Sequence, residues 1–305
     1  MKKYFLFFIL IANISFAQNP KMFLPELFKG LPNVRDFSMN QEGDEFYFTI
    51  ESFAKKYSFI AFSKKINGVW TTPKAVKFSG QYKDLEPFLS PDGLKLFFAS
   101  NRKNNTSSEI KKDMDIWYVT RNKTSDSWSE PKNVGLIINT SKDEFYPSVT
   151  NKGDLYFTAE YENSKGKEDI YVSRFINNTY TKPISLSNNV NSEKYEFNAF
   201  VSPDENFIIF TSYGRKDGLG RGDLYISKKD KNNNWLPAEH LKNGINSKKL
   251  DYCPFVDIKH KKLYFTTNKN TIPKSFKNRK DLTEIIEFIN SNPNGLSRIY
   301  QTSFK

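Results

Sequence analysis

The chain has one cysteine and two histidines in 305 residues, and this scarcity excludes several kinds of site. A single thiol, Cys253, can form neither an internal disulfide nor a cysteine-based zinc centre. Its apolar-flanked position predicts a buried small side chain, and His240 and His260 leave little scope for histidine chemistry. Alanine is also scarce, with nine residues against 28 phenylalanines and 16 tyrosines, a balance that favours strands over helices.

Long apolar runs are missing after the first 17 residues, so no later segment is predicted to span a membrane. The N-terminus has the form of a signal peptide: two lysines, an apolar stretch over 4–14, and small residues at Ser15 and Ala17. We expect cleavage after Ala17 and a mature chain, residues 18–305, that is periplasmic or secreted. No cysteine lies near the cleavage site, which excludes a lipoprotein anchor.

Lysine and arginine outnumber aspartate and glutamate by 46 to 34, for a net charge of +12. Removal of Lys2 and Lys3 with the signal peptide would leave +10. The basic residues are spread over the whole chain and form no single stripe. Together with export, this argues against a nucleic-acid partner and favours attraction to anionic envelope polymers.

Three patterns recur with a period near 54 residues, which is typical of a repeat architecture. One is an aromatic residue followed three positions later by proline: Trp70, Trp128 and Tyr180, with a shortened copy at Trp235. The second is a carboxylate before a strand, with a serine or asparagine five positions earlier: Asp84 after Ser79, Glu144 after Asn139, Glu196 after Asn191, and Asp251 after Asn246. The third is aspartate, isoleucine or leucine, then an aromatic residue, starting at Asp115, Asp169 and Asp223.

Each repeat contains four short β-branched and aromatic runs separated by glycine, asparagine and aspartate turns. In the third repeat we predict strands over 145–150, 154–159, 170–175 and 180–186. Four-stranded units repeated in this way predict an all-β propeller in a single domain, residues 18–305. Five blades are expected, starting near residues 36, 84, 144, 196 and 251, with six as the alternative.

Both ends of the chain bear on how the propeller closes. The last repeat lacks its outer strand. The segment 22–25 ends at the same distance before Asp36 as Pro73 stands before Asp84. We therefore expect the N-terminal segment to complete the last blade. An insertion at about 279–291 has apolar residues at helical spacing, namely Leu282, Ile285, Ile286 and Ile289. It predicts a short amphipathic helix that covers apolar surface, with partner docking as the alternative.

The segment 90–102, Ser-Pro-Asp-Gly-Leu-Lys-Leu-Phe-Phe-Ala-Ser-Asn-Arg, resembles the repeat of TolB-like, WD40-type propellers. Residues 202–205 repeat it without the glycine, and 151–153 and 41–43 are degenerate copies. The turn requires a positive φ, which explains the Asp-Gly pair. The resemblance implies an exported bacterial propeller; TolB itself is a periplasmic protein that binds other proteins. The family usually has six blades.

The topology places the connections into each inner strand and the longest loops, 101–113, 160–168, 212–222 and 268–296, on one face of the propeller. We expect a binding site on this long-loop face, because function concentrates on loops held by a rigid scaffold. The candidate ligands there are carboxylates at the channel mouth: Asp36, Asp84, Glu144, Glu196 and Asp251. Further candidates lie on the loops: Arg102, Tyr161, Arg215, Lys216 and Arg221.

The carboxylates have two interpretations. They brace the start of each inner strand, or they point into the channel and bind a polar ligand or a cation such as Ca²⁺. No cofactor or metal is indicated by a motif.

We expect a monomeric, non-catalytic binding module for an envelope protein or glycan. The alternative is a five-bladed glycoside hydrolase or lyase that uses central carboxylates. A propeller-linked peptidase is excluded, because the Gly-x-Ser-x-Gly motif is absent.

Overall fold

The computed structural model describes residues 19–103 and 113–304, which form a five-bladed β-propeller. The predicted signal peptide lies outside the described residues. In each blade, strand a is innermost and strand d outermost. The N-terminal strand is β1 (Lys21–Met22). Blade 1 contains β2 (Asn33–Met39), β3 (Glu45–Glu51), β4 (Ser58–Ile66), β5 (Val69–Trp70) and β6 (Lys74–Ala75). Blade 2 contains β7 (Asp84–Leu89), β8 (Lys95–Ser100), β9 (Asp115–Thr120) and β10 (Lys132–Asn133).

The remaining three blades follow the same order. Blade 3 contains β11 (Glu144–Val149), β12 (Leu155–Ala159), β13 (Asp169–Ser173), β14 (Phe175–Ile176), β15 (Thr179–Tyr180) and β16 (Ile184–Ser185). Blade 4 contains β17 (Tyr195–Val201), β18 (Phe207–Tyr213), β19 (Asp223–Lys228) and β20 (Glu239–His240). Blade 5 contains β21 (Asp251–Asp257), β22 (Lys262–Thr267), helix α1 (Leu282–Asn290) and β23 (Arg298–Ser303).

The N-terminal segment closes the ring as predicted. β1 pairs antiparallel with β23, with Lys21 opposite Gln301 and Met22 opposite Tyr300. The amide of Phe23 then donates to the carbonyl of Ile299 at 2.9 Å. The fifth blade therefore takes its outer strand from the start of the chain, which covers an edge that would otherwise be open.

The outer strands differ from the prediction in blade 3. Residues 180–186 do not form one strand: Thr179–Tyr180 pairs with Phe175–Ile176 in a small hairpin, and only Ile184–Ser185 pairs with β13. A similar hairpin joins β4 and β5 in blade 1. The face opposite the long loops, which we call the short-turn face, therefore carries these hairpins beside the turns at 40–44, 90–94, 150–154, 202–206 and 258–261.

Every inner strand contains a β-bulge at the same position. The register shifts by one residue in β2, β7, β11, β17 and β21. The residue in the bulge has a left-handed backbone in all five, with φ between 47° and 60°. These five equivalent residues are Asp36, Glu86, Tyr146, Asn198 and Cys253, and we call them the bulge ring.

The predicted helix is present, but the predicted covering role is wrong. A capping box sets its start: the Asp281 carboxylate accepts from the Glu284 amide at 2.8 Å, and Glu284 accepts from the Asp281 amide at 3.2 Å. No residue of α1 is buried, and Leu282 is 72% exposed. Among the described residues, no helix is both long and apolar enough to cross a bilayer.

Candidate functional site

Four of the five predicted channel-mouth carboxylates occupy one equivalent position at the start of strand a and are fully buried. Each accepts a hydrogen bond from a hydroxyl four or five residues earlier. The pairs are Asp84 with Ser79 at 2.7 Å, Glu144 with Thr140 at 2.7 Å, Glu196 with Ser192 at 2.8 Å, and Asp251 with Ser247 at 2.8 Å. These contacts tie the incoming loop to the inner strand, as the bracing interpretation requires.

Burial has the largest effect on the pKa of two of these carboxyl groups. It raises the pKa of Glu144 to about 7, against the hydrogen bonds from Thr140, which lower it. Burial also raises the pKa of Asp251, opposed by the hydroxyls of Thr267 and Ser247. The bonded hydroxyls therefore hold carboxyl groups that solvent does not reach.

The fifth predicted carboxylate, Asp36, is not equivalent to the other four. Val34 stands opposite Ile50 as Asp84 stands opposite Ser100, so valine occupies the bracing position in blade 1. Asp36 lies two residues further on, in the bulge ring. The predicted start of the first repeat, near residue 36, is therefore two residues late, because spacing alone does not reveal the bulge.

The asparagines of the second pattern act as a substitute peptide group. The Asn191 side chain accepts from the Ile170 amide and donates to the Ile170 carbonyl, both at 2.9 Å. Asn139 does the same to Ile116 in blade 2. Because these side chains continue the outer-strand pairing beyond the strand itself, their recurrence is structural.

Three of the predicted loop-face residues are engaged inside the protein. The Arg102 guanidinium lies 2.7 Å from Asp84, is buried, and stacks 4.9 Å from the Phe98 ring. Arg215 lies 2.9 Å from Glu196. The Tyr161 hydroxyl donates to the Ile138 carbonyl at 2.9 Å.

The other two loop-face residues, Lys216 and Arg221, have exposed side chains. They are therefore the ones available to a partner. A binding role for any of the five stays a prediction.

A second polar cluster, which the repeats did not indicate, fills the middle of the channel. Arg35 contacts Asp36 at 2.8 Å and Glu86 at 3.1 Å. The Cys253 thiol donates to Asp36 at 2.8 Å and is buried, as predicted, against the rings of Tyr146 and Tyr252. Asp36 is 1% exposed and Glu86 4% exposed. The Asn198 amide group donates to Glu86 at 3.4 Å.

Burial and neighbouring charges shift the pKa of two groups in this cluster, Glu86 and Cys253. Burial and the neighbouring Asp36 charge raise the pKa of Glu86 to about 8, against the effect of Arg35. Burial, followed by the Asp36 charge, raises the pKa of the Cys253 thiol well above its usual range. One carboxylate oxygen of Asp36, Oδ2, is buried without a hydrogen-bond partner. Burial therefore favours the protonated form of Glu86.

Aromatic side chains close the channel below this cluster. Phe88, Phe200 and Phe255 contact one another with ring centroids 5.4 to 6.3 Å apart. They form the floor of a cavity of about 460 Å³ that opens on the short-turn face, and we call it the central bowl. Residues from all five blades line it, among them Met39, Leu89, Val149, Val256 and Ile258. In the described part of the chain, no group of three or more histidine, cysteine or acidic residues is arranged to hold a metal ion.

No family model and no curated protein sequence matches the chain. Several solved structures are similar to it. The chain is similar to an endo-arabinase from Bacteroides thetaiotaomicron, with 14% identity, 91% of this chain and 97% of that chain covered, and a TM-score of 0.54. An α-L-arabinofuranosidase from Lactobacillus brevis matches with 12% identity, coverage of 89% and 91%, and a TM-score of 0.51. A putative TolB from Agrobacterium tumefaciens matches with 13% identity, coverage of 90% and 91%, and a TM-score of 0.50.

This chain shares the propeller fold of TolB and of glycoside hydrolases. At these identities the likeness extends to the fold alone. The chain spans 55% of the length of TolB from Acinetobacter baumannii, to which it is similar at 13% identity and a TM-score of 0.48 over 89% of its own length. The TolB resemblance is supported as a fold, and the same fold carries both binding proteins and enzymes.

Proposed function

We propose that this protein is an exported, non-catalytic binding propeller that contacts a protein or a cell-envelope glycan through its long-loop face. The state of its carboxylates supports this most. Four of them brace loops, and the remaining central pair, Asp36 and Glu86, is buried against Arg35. A glycosidase needs two carboxyl groups that reach its substrate.

The exposed basic side chains of the long-loop face supply the contact in this proposal. Lys216 and Arg221 are exposed on the loop that follows β18, and the net charge of +10 expected after removal of Lys2 and Lys3 favours anionic partners. Contacts of this kind weaken as salt screens them, over a Debye length of about 8 Å at physiological ionic strength.

The proposal is tested by a glycan array and by pull-down with envelope polysaccharides, at low and at high salt. We expect retention of the wild-type protein and loss of retention in Arg221→Glu and Lys216→Glu. Lys231→Glu, an exposed lysine on the opposite face, is the matched control and should bind normally. Binding that none of these changes affects would contradict a site on the long-loop face. If the protein binds no glycan, the proposed partner is an envelope protein.

The proposed export is tested separately. Mass spectrometry of the protein recovered from a periplasmic or culture fraction should give an N-terminus at Gln18. Recovery of the unprocessed chain from the cytoplasm would contradict it.

A second function, glycoside hydrolysis, is favoured by one observation. Glu86 has a pKa of about 8, raised by burial and by Asp36, so it holds a proton at neutral pH as a general acid must. Asp36, which contacts Arg35 at 2.8 Å, would be the second carboxyl group. Release of sugar from a polysaccharide, abolished by Asp36→Asn, distinguishes this function from binding alone.

A further inference from the structure

One cross-strand pair on the long-loop face departs from the repeat. Tyr195 stands opposite Tyr213 at the long-loop end of blade 4, one position outside the pair of Glu196 and Ser212. In the other four blades the same register brings no aromatic residue to this position. The equivalent pairs are Asn33 with Glu51, Lys83 with Asn101, Asp143 with Glu160, and Leu250 with Asn268. The propeller scaffold therefore does not require two tyrosines here.

Both tyrosine rings are open to solvent. Tyr195 is 37% exposed and Tyr213 is 47% exposed, with ring centroids 5.8 Å apart and ring planes inclined by 56°. In the described part of the chain, neither phenol hydroxyl has a hydrogen-bond partner. An exposed tyrosine offers an apolar ring face beside a polar tip. These two residues, which we call the tyrosine pair, therefore form a small stacking surface at the end of blade 4.

A cavity of about 310 Å³ adjoins the tyrosine pair. Its other lining residues are polar, charged or glycine: Lys194, Ser212, Gly214, Arg215, Gly218, Gly220 and Asp223. The loop that forms it approaches the next blade closely, because a Cβ on Gly220 would lie 2.3 Å from the Lys249 carbonyl oxygen. The anchor side chains of a protein interface fill well-packed, desolvated pockets, which this polar lining does not provide. A sugar ring, apolar on its faces and hydroxylated at its edge, matches both the tyrosine rings and the lining.

One wall of the cavity carries an unused hydrogen-bond acceptor. Asp223 lines the cavity and is 1% exposed. Its Oδ2 accepts from the Leu219 amide and lies 3.2 Å from Nε2 of His240, whereas its Oδ1 has no partner among the described residues. A hydroxyl group that reaches this oxygen would donate to it, and a carboxylate would be repelled. This wall therefore favours the hydroxyl of a sugar over the acidic side chain of a protein.

The rim of the cavity is basic. Three segments carry it, 192–196, 213–221 and 247–250, and five of their cations are exposed and have no ion-pair partner among the described residues: Lys194, Lys216, Arg221, Lys248 and Lys249. Of the three carboxylates in these segments, Glu196 is paired with Arg215, and Asp217 accepts from the Tyr225 hydroxyl at 2.7 Å. Glu193 is the third and is exposed. The excess of cations favours a ligand with negative charge.

We propose that the tyrosine pair and its cavity bind an acidic sugar unit of an anionic polysaccharide. The sugar ring stacks on the tyrosines, a hydroxyl group donates to Asp223, and the sugar carboxylate lies among the rim cations. This inference rests on the proposed function: it takes the partner of the long-loop face to be a glycan and places the contact on blade 4.

The test compares three polymers by biolayer interferometry on the mature protein. Polygalacturonate has the ring and the charge, fully methyl-esterified polygalacturonate has the ring alone, and poly-L-glutamate has the charge alone. We expect polygalacturonate to bind at least about tenfold more tightly than the other two, because only it uses both the stacking surface and the cations.

Variants of the tyrosine pair separate stacking from charge. Tyr213→Ala should weaken polygalacturonate binding by about tenfold, whereas Tyr213→Phe, which keeps the ring, should stay within about twofold of the wild type. The matched control is Phe53→Ala, which removes a 71% exposed aromatic ring from the β3–β4 loop of blade 1 on the same face. It should bind as the wild type does.

Three results would overturn the inference. They are no binding of polygalacturonate, equal binding of poly-L-glutamate, and unchanged affinity in Tyr213→Ala. If affinity falls in Arg221→Glu but not in Tyr213→Ala, the long-loop site of the proposed function stands and only the tyrosine pair is wrong. If polygalacturonate does not bind at all, this inference fails, whereas the proposed function still depends on the glycan array and on envelope proteins.

Discussion

Replacing Glu86 with glutamine should flatten the dependence of stability on pH. Burial and the Asp36 charge raise the pKa of Glu86 from 4.5 to about 8, whereas Arg35 opposes the shift. Glutamine has the shape of the protonated side chain and does not titrate in this range. The variant therefore removes the titration and keeps the packing.

The direction in which stability changes with pH depends on whether the folded or the unfolded protein holds the proton. At pH 7 the folded protein keeps a proton on Glu86 that the unfolded chain has released. Stability falls with rising pH wherever the folded state binds more protons, so the carboxyl group costs nothing below its unfolded pKa and progressively more above it. The slope is at most about 1.4 kcal/mol per pH unit between pH 4.5 and 8, which sums to about 5 kcal/mol at most.

Urea unfolding followed by tryptophan fluorescence at pH 5, 6, 7 and 8 measures this. The wild-type free energy of unfolding should fall relative to that of Glu86→Gln as the pH rises. The exposed Glu162→Gln variant is the control and should keep the wild-type slope. Parallel curves for wild type and Glu86→Gln would refute the assignment of a protonated carboxyl group to the channel.

Three further predictions concern the scaffold and use the same unfolding measurement. Asn191→Ala should cost about 1 to 3 kcal/mol, because it leaves the buried Ile170 amide without a partner, whereas the exposed Asn188→Ala should cost less than about 0.5 kcal/mol; equal losses would argue against the substitute-peptide role. Phe200→Ala should cost about 3 to 5 kcal/mol by opening a cavity in the channel floor, and an unchanged stability would mean that the three rings do not form a plug. Leu282→Ser should leave the free energy of unfolding within about 0.5 kcal/mol, because the side chain is exposed; a large loss would mean that α1 packs on the propeller after all.

The repeated residues could be predicted from the sequence because each one meets the same need in several blades. Asn139, Asn191 and Asn246 recur since each satisfies the backbone of strand c beyond the end of the outer strand. Gly93 and Glu205 stand at equivalent turns with φ of 71° and 59°. The copy at 202–205 could therefore be predicted from its other turn residues, although it lacks the glycine. Recurrence of this kind indicates the fold and says little about a ligand.

The central cluster could not be predicted in the same way. The bulge ring is defined by a left-handed backbone, and its five residues differ in chemistry, so no repeated letter marks it. Glu86 and Arg35 were therefore missed, and Asp36 was grouped with carboxylates of another register. The sequence did contain one indication of the cluster. Charged residues stand two positions away from a repeated carboxylate in one or two blades only, so they do not belong to the repeat.

The cavity on the short-turn face was also unexpected. Loop length pointed to the opposite face, whereas the bowl is formed by ordinary turns from all five blades around a floor of three phenylalanines. Its walls come from residues far apart in the chain, which only the closed ring brings together.

The most direct test of a non-catalytic propeller is product analysis after long incubation with arabinan, xylan and envelope polysaccharides. Wild type, Asp36→Asn and Glu86→Gln are compared, with Glu162→Gln as the matched control. We expect no release of sugar by any of the four proteins, even from a polysaccharide that the wild type binds. Release by wild type and Glu162→Gln that is lost in Asp36→Asn and Glu86→Gln would contradict it and make the buried pair the catalytic centre.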